Sequence, residues 1–131
     1  MCLEALAQLA AADPDVRLLV LFGSRARGGG RPASDFDLGV SLTHSAARSR
    51  VEAALGGAVE REVDVVDLDT APPQLRFEIA RDGRLLFERR PYLWADFRAR
   101  AMIDWWDWAP ISRRIHAAAV ERLRAHEHGP A

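Results

Sequence analysis

Apolar and polar positions along this chain follow two rhythms, and the alternation between them sets out the elements. Leu18-Leu19-Val20-Leu21-Phe22 is a short apolar run that predicts a buried strand over 16–22, stopping at Gly23, where the chain can turn without a Cβ penalty. Further strands are predicted over 35–42, 61–68 and 84–88, and helices over 2–12, 46–56 and 73–81, with a short helix starting at Ser24. Leu3, Leu6 and Leu9, three apart, mark the first helix as amphipathic. Pro72-Pro73 opens the third, and Asp82-Gly83 ends it in a turn. Two helices, 91–108 and 111–125, close the chain, and the whole order is that of an α/β fold.

The last two helices carry an unusual apolar load. Leu93, Phe97, Ala101, Trp105 and Trp108 fall on one helical face, while Trp94, Met102 and Trp106 widen it into a second stripe. So wide an arc calls for two neighbours. One is the sheet; the other is either the final helix, with Ile111, Ile115 and Leu123 covering the rings, or a partner protein docked on an exposed face.

The chemistry is concentrated where the first strand ends. Ser24 stands where a helix N-cap would, so the unpaired N–H groups of the Gly23-Ser24 turn, together with the helix dipole, suit the phosphates of a nucleotide. Arg25 and Arg27 add positive charge, Arg25 being the better placed. Asp35 and Asp37 follow in a strand whose side chains alternate faces, so the two carboxylates project together while Phe36 and Leu38 point into a core. Side-by-side carboxylates repel unless a cation lies between them, and hard oxygen ligands beside phosphates describe a Mg²⁺ site. A third carboxylate is expected from Val63-Asp64-Val65-Val66-Asp67-Leu68. Asp64, flanked by valines, reads as a buried ligand, with Asp67 on the opposite face as the competing choice.

Gly23-Ser24-Arg25-Ala26-Arg27-Gly28, Arg31-Pro32, Ser34-Asp35-Phe36-Asp37-Leu38 and Val63-Asp64-Val65-Val66-Asp67 resemble the minimal nucleotidyltransferase (MNT) domain of the polymerase-β-like superfamily. The stretches from Ala71 to Ile79 and from Asp82 to Phe87 are similar to MNT antitoxins encoded beside HEPN-domain toxins. The resemblance covers roughly residues 15 to 90 and implies a polymerase-β-like palm, a small mixed sheet with helices, extended by C-terminal helices over about 91–126 within one domain of 1–131. It also implies that Gly23 and Ser24 hold the phosphates of ATP, that Asp35 and Asp37 ligate two Mg²⁺ ions, and that Asp64 ligates one of them and helps deprotonate the acceptor. The implied activity is transfer of AMP to a tyrosine of a HEPN ribonuclease toxin, silencing it within a toxin–antitoxin hetero-oligomer.

Composition trims the alternatives. The 131 residues are 49% hydrophobic, enough for one core and too few for a sizeable second domain to grip a substrate, which favours a macromolecule that brings its own acceptor. A net charge of −1 argues against nucleic acid as the direct substrate. All 18 basic residues are arginine, which excludes a P-loop lysine, a Schiff base and a lysyl-nucleotide intermediate. Cys2 is the only cysteine, compatible with a reducing cytoplasm, and the N-terminus, with Glu4 and no basic leader, does not read as a signal peptide. No stretch reaches membrane-spanning length. The pairs Arg89-Arg90 and Arg113-Arg114 read as solvated surface, Arg76 and Glu78 as structural, and His126-x-His128 as a tail without further ligands. Two other functions stay open: an antitoxin that works by occlusion alone, and a nucleotidyltransferase acting on a small cationic drug of the aminoglycoside type.

Overall fold

Leu6, Leu19, Leu21, Leu38 and Leu55, each at most 1% exposed, meet on one side of a sheet and define the larger of two cores. The computed structural model of the chain describes residues 2–23 and 36–127. In chain order these form α1 (Cys2–Ala12), β1 (Val16–Phe22), β2 (Phe36–Leu42), α2 (Arg48–Val59) preceded by a single 3₁₀ turn, β3 (Val63–Asp67), α3 (Pro73–Asp82), β4 (Arg84–Glu88) and α4 (Leu93–Glu127). The strands lie in the order β3-β2-β1-β4, with β2 and β3 parallel and the other pairs antiparallel, giving the expected small mixed sheet.

Strand alternation sorts the side chains into two cores. Leu19 and Leu21 of β1, with Phe36, Leu38 and Val40 of β2, face α1 and α2, where Leu6, Ala10, Val51, Leu55 and Val59 complete the layer. Leu18 and Val20 face the other way, against Ile79 and Ala80 of α3 and Phe97 and Ala101 of α4. Each of the fully enclosed leucines contributes roughly 1.5–3 kcal/mol by leaving water. Gly39 of β2 belongs to the second face. A Cβ there would come within 2.6 Å of Leu68 Cδ2, so the missing side chain is what lets Leu68, 0% exposed, lie flat on the strand.

The end of the chain differs from expectation. One continuous helix runs from Leu93 to Glu127 with Pro110 inside it, rather than two helices meeting near residue 110. A proline in a helix removes one N–H donor, here the one that would reach the Trp106 carbonyl, and a long helix can carry that local loss without ending. Because the helix does not fold back, Ile111, Ile115 and Leu123 cannot cover the aromatic stripe and are 53%, 65% and 66% exposed. The proximal half packs well. Trp94 stacks on Phe97 with ring centroids 5.7 Å apart, and Trp105 stacks on Phe77 of α3 at 5.1 Å. Trp106, on the outer stripe, is 70% exposed.

Two arginines lock the layers together. Arg50 of α2 donates to Asp13 and Asp15 in the α1–β1 turn, each at 2.7 Å, and this bond holds the Asp13 carboxyl below its ordinary value. Arg89, expected as wetted surface, is a structural clasp. Its guanidinium donates to the carbonyls of Ala10, Ala11, Asp13 and Val16 at 2.7–3.1 Å and lies 4.6 Å from the centre of the Phe87 ring. The carbonyls at the end of α1 have no helical partner, so one fork-shaped cation closes the helix and ties it to the end of β4. Arg89→Ala is expected to cost about 1.5–3 kcal/mol of stability, and Arg89→Lys to recover only part of it, because a point donor cannot serve four carbonyls. Urea denaturation followed by circular dichroism checks both.

Candidate active site

Three strands meet at one edge of the sheet: β1 ends there, and β2 and β3 begin there. Gly23, the residue after β1, has φ +76°, a left-handed conformation that a side chain disfavours. Phe22 pairs with Asp37 across β1 and β2, and Asp37 pairs with Asp64 across β2 and β3. Paired residues project from the same face, so Asp37 and Asp64 stand side by side on the α3 and α4 side of the sheet. The Asp37 carboxylate rests directly on Gly23, and a Cβ at residue 23 would collide with its Oδ2 atom. A hydrogen bond of 3.3 Å from Phe36 N–H to the Glu62 carbonyl holds the starts of β2 and β3 together.

Asp64 is not buried as its valine neighbours suggested. Val63 and Val65 point into the first core, but Asp64 faces outward from the edge strand and is exposed. Asp67 pairs with Val40 at the far end of β3, and its Oδ1 accepts the Asp69 N–H at 2.9 Å, so it shapes the turn that follows. Of the two candidate third carboxylates, Asp64 is therefore the one beside Asp37. Ser24, Arg25 and Asp35, with the short helix expected from Ser24, lie outside the described residues. Among those described, no group of three or more His, Cys, Asp or Glu side chains is arranged to hold a metal ion. Asp37 and Asp64 form a two-carboxylate pair of hard oxygen donors, a set that fits Mg²⁺ when a third carboxylate joins it.

Hollows flank the pair. One, of about 210 Å³, is lined by Phe22, Gly23, Glu78, Arg81 and Asp82. Arg81 reaches it from the last turn of α3, donating to Asp82 at 2.8 Å with its guanidinium 5.6 Å from the centre of the Phe77 ring. That bond raises the Arg81 pKa above its already high ordinary value, so the charge is permanent. Sequence reasoning passed over Arg81. The only signal was an Arg-Asp-Gly ending to α3, and nothing local reveals that the fold sets it beside Gly23. Beyond Asp64 a second hollow, of about 400 Å³, is lined by Glu52 and Gly56 of α2, by Arg61 and Glu62, and by Val63.

A family model for polymerase beta nucleotidyltransferases matches residues 4–92. The chain belongs to this family. Solved structures agree on the architecture. A chain from a toxin–antitoxin complex crystallised with AMP-PNP is 22% identical, with 92% of this chain and 99% of that one covered and a TM-score of 0.78. A chain from a complex of tri-AMPylated Shewanella oneidensis HEPN toxin with MNT antitoxin is 20% identical, with 91% and 96% covered and a TM-score of 0.71. A structure assigned as a minimal nucleotidyltransferase is 34% identical over 63% of this chain and 86% of its own, with a TM-score of 0.53. No curated protein matches the chain in sequence. Among the described residues, no helix is long and apolar enough to cross a membrane.

The contact between Gly23 and Asp37 is open to a direct test. Gly23→Ala forces a Cβ into the carboxylate and costs roughly 1–2 kcal/mol of left-handed strain, so the fold persists while Asp37 is displaced. Nucleotidyl transfer is expected to fall about a hundredfold, the loss typical of a reacting group misplaced by an ångström, with thermal unfolding showing that the protein is still folded.

Proposed function

We propose that this nucleotidyltransferase is an antitoxin that transfers AMP from ATP to a tyrosine of a HEPN-domain ribonuclease toxin. The observation that carries the reading is the pairing of Asp37 with Asp64 in register, with the Asp37 carboxylate seated on Gly23. The likeness in fold to antitoxin complexes, including one with AMP-PNP and one with an AMPylated toxin, supports the choice of nucleotide and partner.

Asp35, Asp37 and Asp64 would hold Mg²⁺, which when bound neutralises phosphate charge and orients the triphosphate. The remaining work falls to the chain itself. Backbone N–H groups of Gly23 and Ser24 would donate to phosphate oxygens, with Arg25 and Arg81 supplying positive charge. The acceptor hydroxyl oxygen bonds to the α-phosphorus as the bond to the β-phosphate oxygen breaks, and pyrophosphate leaves. Asp64, open to solvent at the edge strand, would take the hydroxyl proton from an acceptor arriving on a separate protein.

The distal half of α4 suits the role of toxin-docking surface. Ile111, Ile115 and Leu123 are exposed there, on the face of the helix that carries Phe97 and Ala101 nearer its start, while Trp106 is exposed on the opposite face of the proximal half. Such a surface also serves the second reading, neutralisation by occlusion, since it would hold a toxin whether or not AMP is transferred.

Two measurements separate these readings. With a co-expressed HEPN toxin, ATP and Mg²⁺, mass spectrometry is expected to find an AMP adduct on the toxin that is absent with Asp37→Asn/Asp64→Asn. A double variant that leaves no adduct yet still protects cells at equal expression assigns the protection to occlusion. Trp106→Ala is expected to weaken the complex roughly tenfold or more in a binding titration while leaving the melting temperature within about a degree, because so exposed a ring contributes little to the core. Unchanged affinity removes Trp106 from the interface.

A further inference from the structure

The end of the sheet opposite the Asp37–Asp64 pair holds a hollow of about 170 Å³ that plays no part in the proposed transfer. Its polar lining is Arg17 from β1, Ser41 from the end of β2, Asp69 beyond β3, Arg76 of α3, and Asp96 and Arg100 of α4. On β2 the side chains of Asp37 and Ser41 share a face, with Gly39 and its Leu68 cover between them, so the hollow is separated from the candidate active site by packed apolar contact.

Arg76 is the unusual member. Its Nη1 donates to Asp104 at 3.0 Å, and its guanidinium lies 5.4 Å from the centre of the Phe97 ring, but its Nε is enclosed and has no acceptor. A buried donor on a charged group without a partner costs on the order of 1–3 kcal/mol. Arg17 and Arg100 make no side-chain hydrogen bond or ion pair among the described residues. With the Arg76 charge matched by Asp104, the two guanidiniums of Arg17 and Arg100 face Asp69 and Asp96, and Asp69 already accepts the buried Ser41 hydroxyl at 2.9 Å. The first turns of a long helix, α4, add the positive end of its dipole. The volume is several times what one water requires.

We propose that this hollow binds a small oxyanion, a phosphate group or a carboxylate, held between Arg17, Arg76 and Arg100. Guanidiniums with forked, charge-assisted donors suit both chemistries, and Leu18 and Phe97 form the apolar part of the wall.

The probe is the Nε–Hε signal of Arg76 in ¹⁵N NMR of the full chain, titrated with inorganic phosphate, acetate and chloride at constant ionic strength. A saturable shift with phosphate or acetate and none with chloride is the expected result, and the tighter of the two identifies the source. Arg17→Gln and Arg100→Gln, at positions outside both cores, are each expected to weaken binding roughly tenfold. Asp37→Asn/Asp64→Asn should leave binding unchanged, which separates this site from any phosphate held at Gly23. Equal shifts with all three salts, no shift, or a saturable shift that survives both arginine substitutions overturns the proposal.

Discussion

The parallel register between β2 and β3 is the constraint on which the site depends. A slip of one residue would send Asp64 to the opposite face of the sheet and leave Asp37 without a neighbour, because side chains alternate with a period of two. The register is held at both ends. Phe36 N–H binds the Glu62 carbonyl at the start of the pair, and Leu68 N–H binds the Val40 carbonyl at 2.8 Å at its end. Between them Val63 and Val65 commit β3 to the first core, and Leu68 fits only over the bare backbone of Gly39. Apolar packing therefore places two carboxylates that by themselves would separate.

That arrangement shows how a small fold divides its labour. One face of β2, through Phe36, Leu38 and Val40, is wholly given to stability. The other carries Asp37, Gly39 and Ser41 in succession: a candidate ligand, a packing gap and a hydrogen bond to Asp69. With no lysine anywhere, arginine does all the cationic work, and its planar fork is suited to several kinds of it. Arg89 gathers the carbonyls at the end of α1, Arg98 donates to the Ala80 carbonyl at 3.0 Å near the end of α3, and Arg50 bridges two aspartates. Arg81 brings the same chemistry to the hollow beside Gly23.

Periodicity made most of the elements legible. The strands at 16–22 and 84–88 and the helix at 2–12 match their predicted bounds, because an uninterrupted apolar run or a three-residue spacing leaves little choice. The motif residues Gly23, Asp37 and Asp64 were readable because their spacing is local to strand ends, and the fold brings these three to one edge. What escaped notice was set by distance along the chain. The exposure of Asp64 follows from the edge position of β3, which its own valines do not encode. Arg81 and Arg89 acquire their roles from partners that topology supplies: Arg81 beside Gly23, Arg89 on carbonyls more than seventy residues away. At Pro110 a local rule misled, since proline suggests a helix start and here sits within a helix.

The continuity of α4 bears on how the protein meets its partner. At 35 residues the helix is about 52 Å long, and its contacts with the rest of the described chain belong to the proximal half, as far as Trp105 on Phe77. An isolated helix of the length that remains is marginal in water, and an interior proline lowers its stability by about 3 kcal/mol. Ala117-Ala118-Ala119 offsets part of that through high helix propensity, but the apolar residues flanking this segment, Ile111, Ile115 and Leu123, gain nothing while they face solvent. Under the proposed function, burying them against a toxin would add the tertiary packing that the segment lacks. The proximal half, fixed by Phe77, Phe97 and Ala101, sets the direction of the helix relative to Asp37 and Asp64, and the proline does not interrupt it.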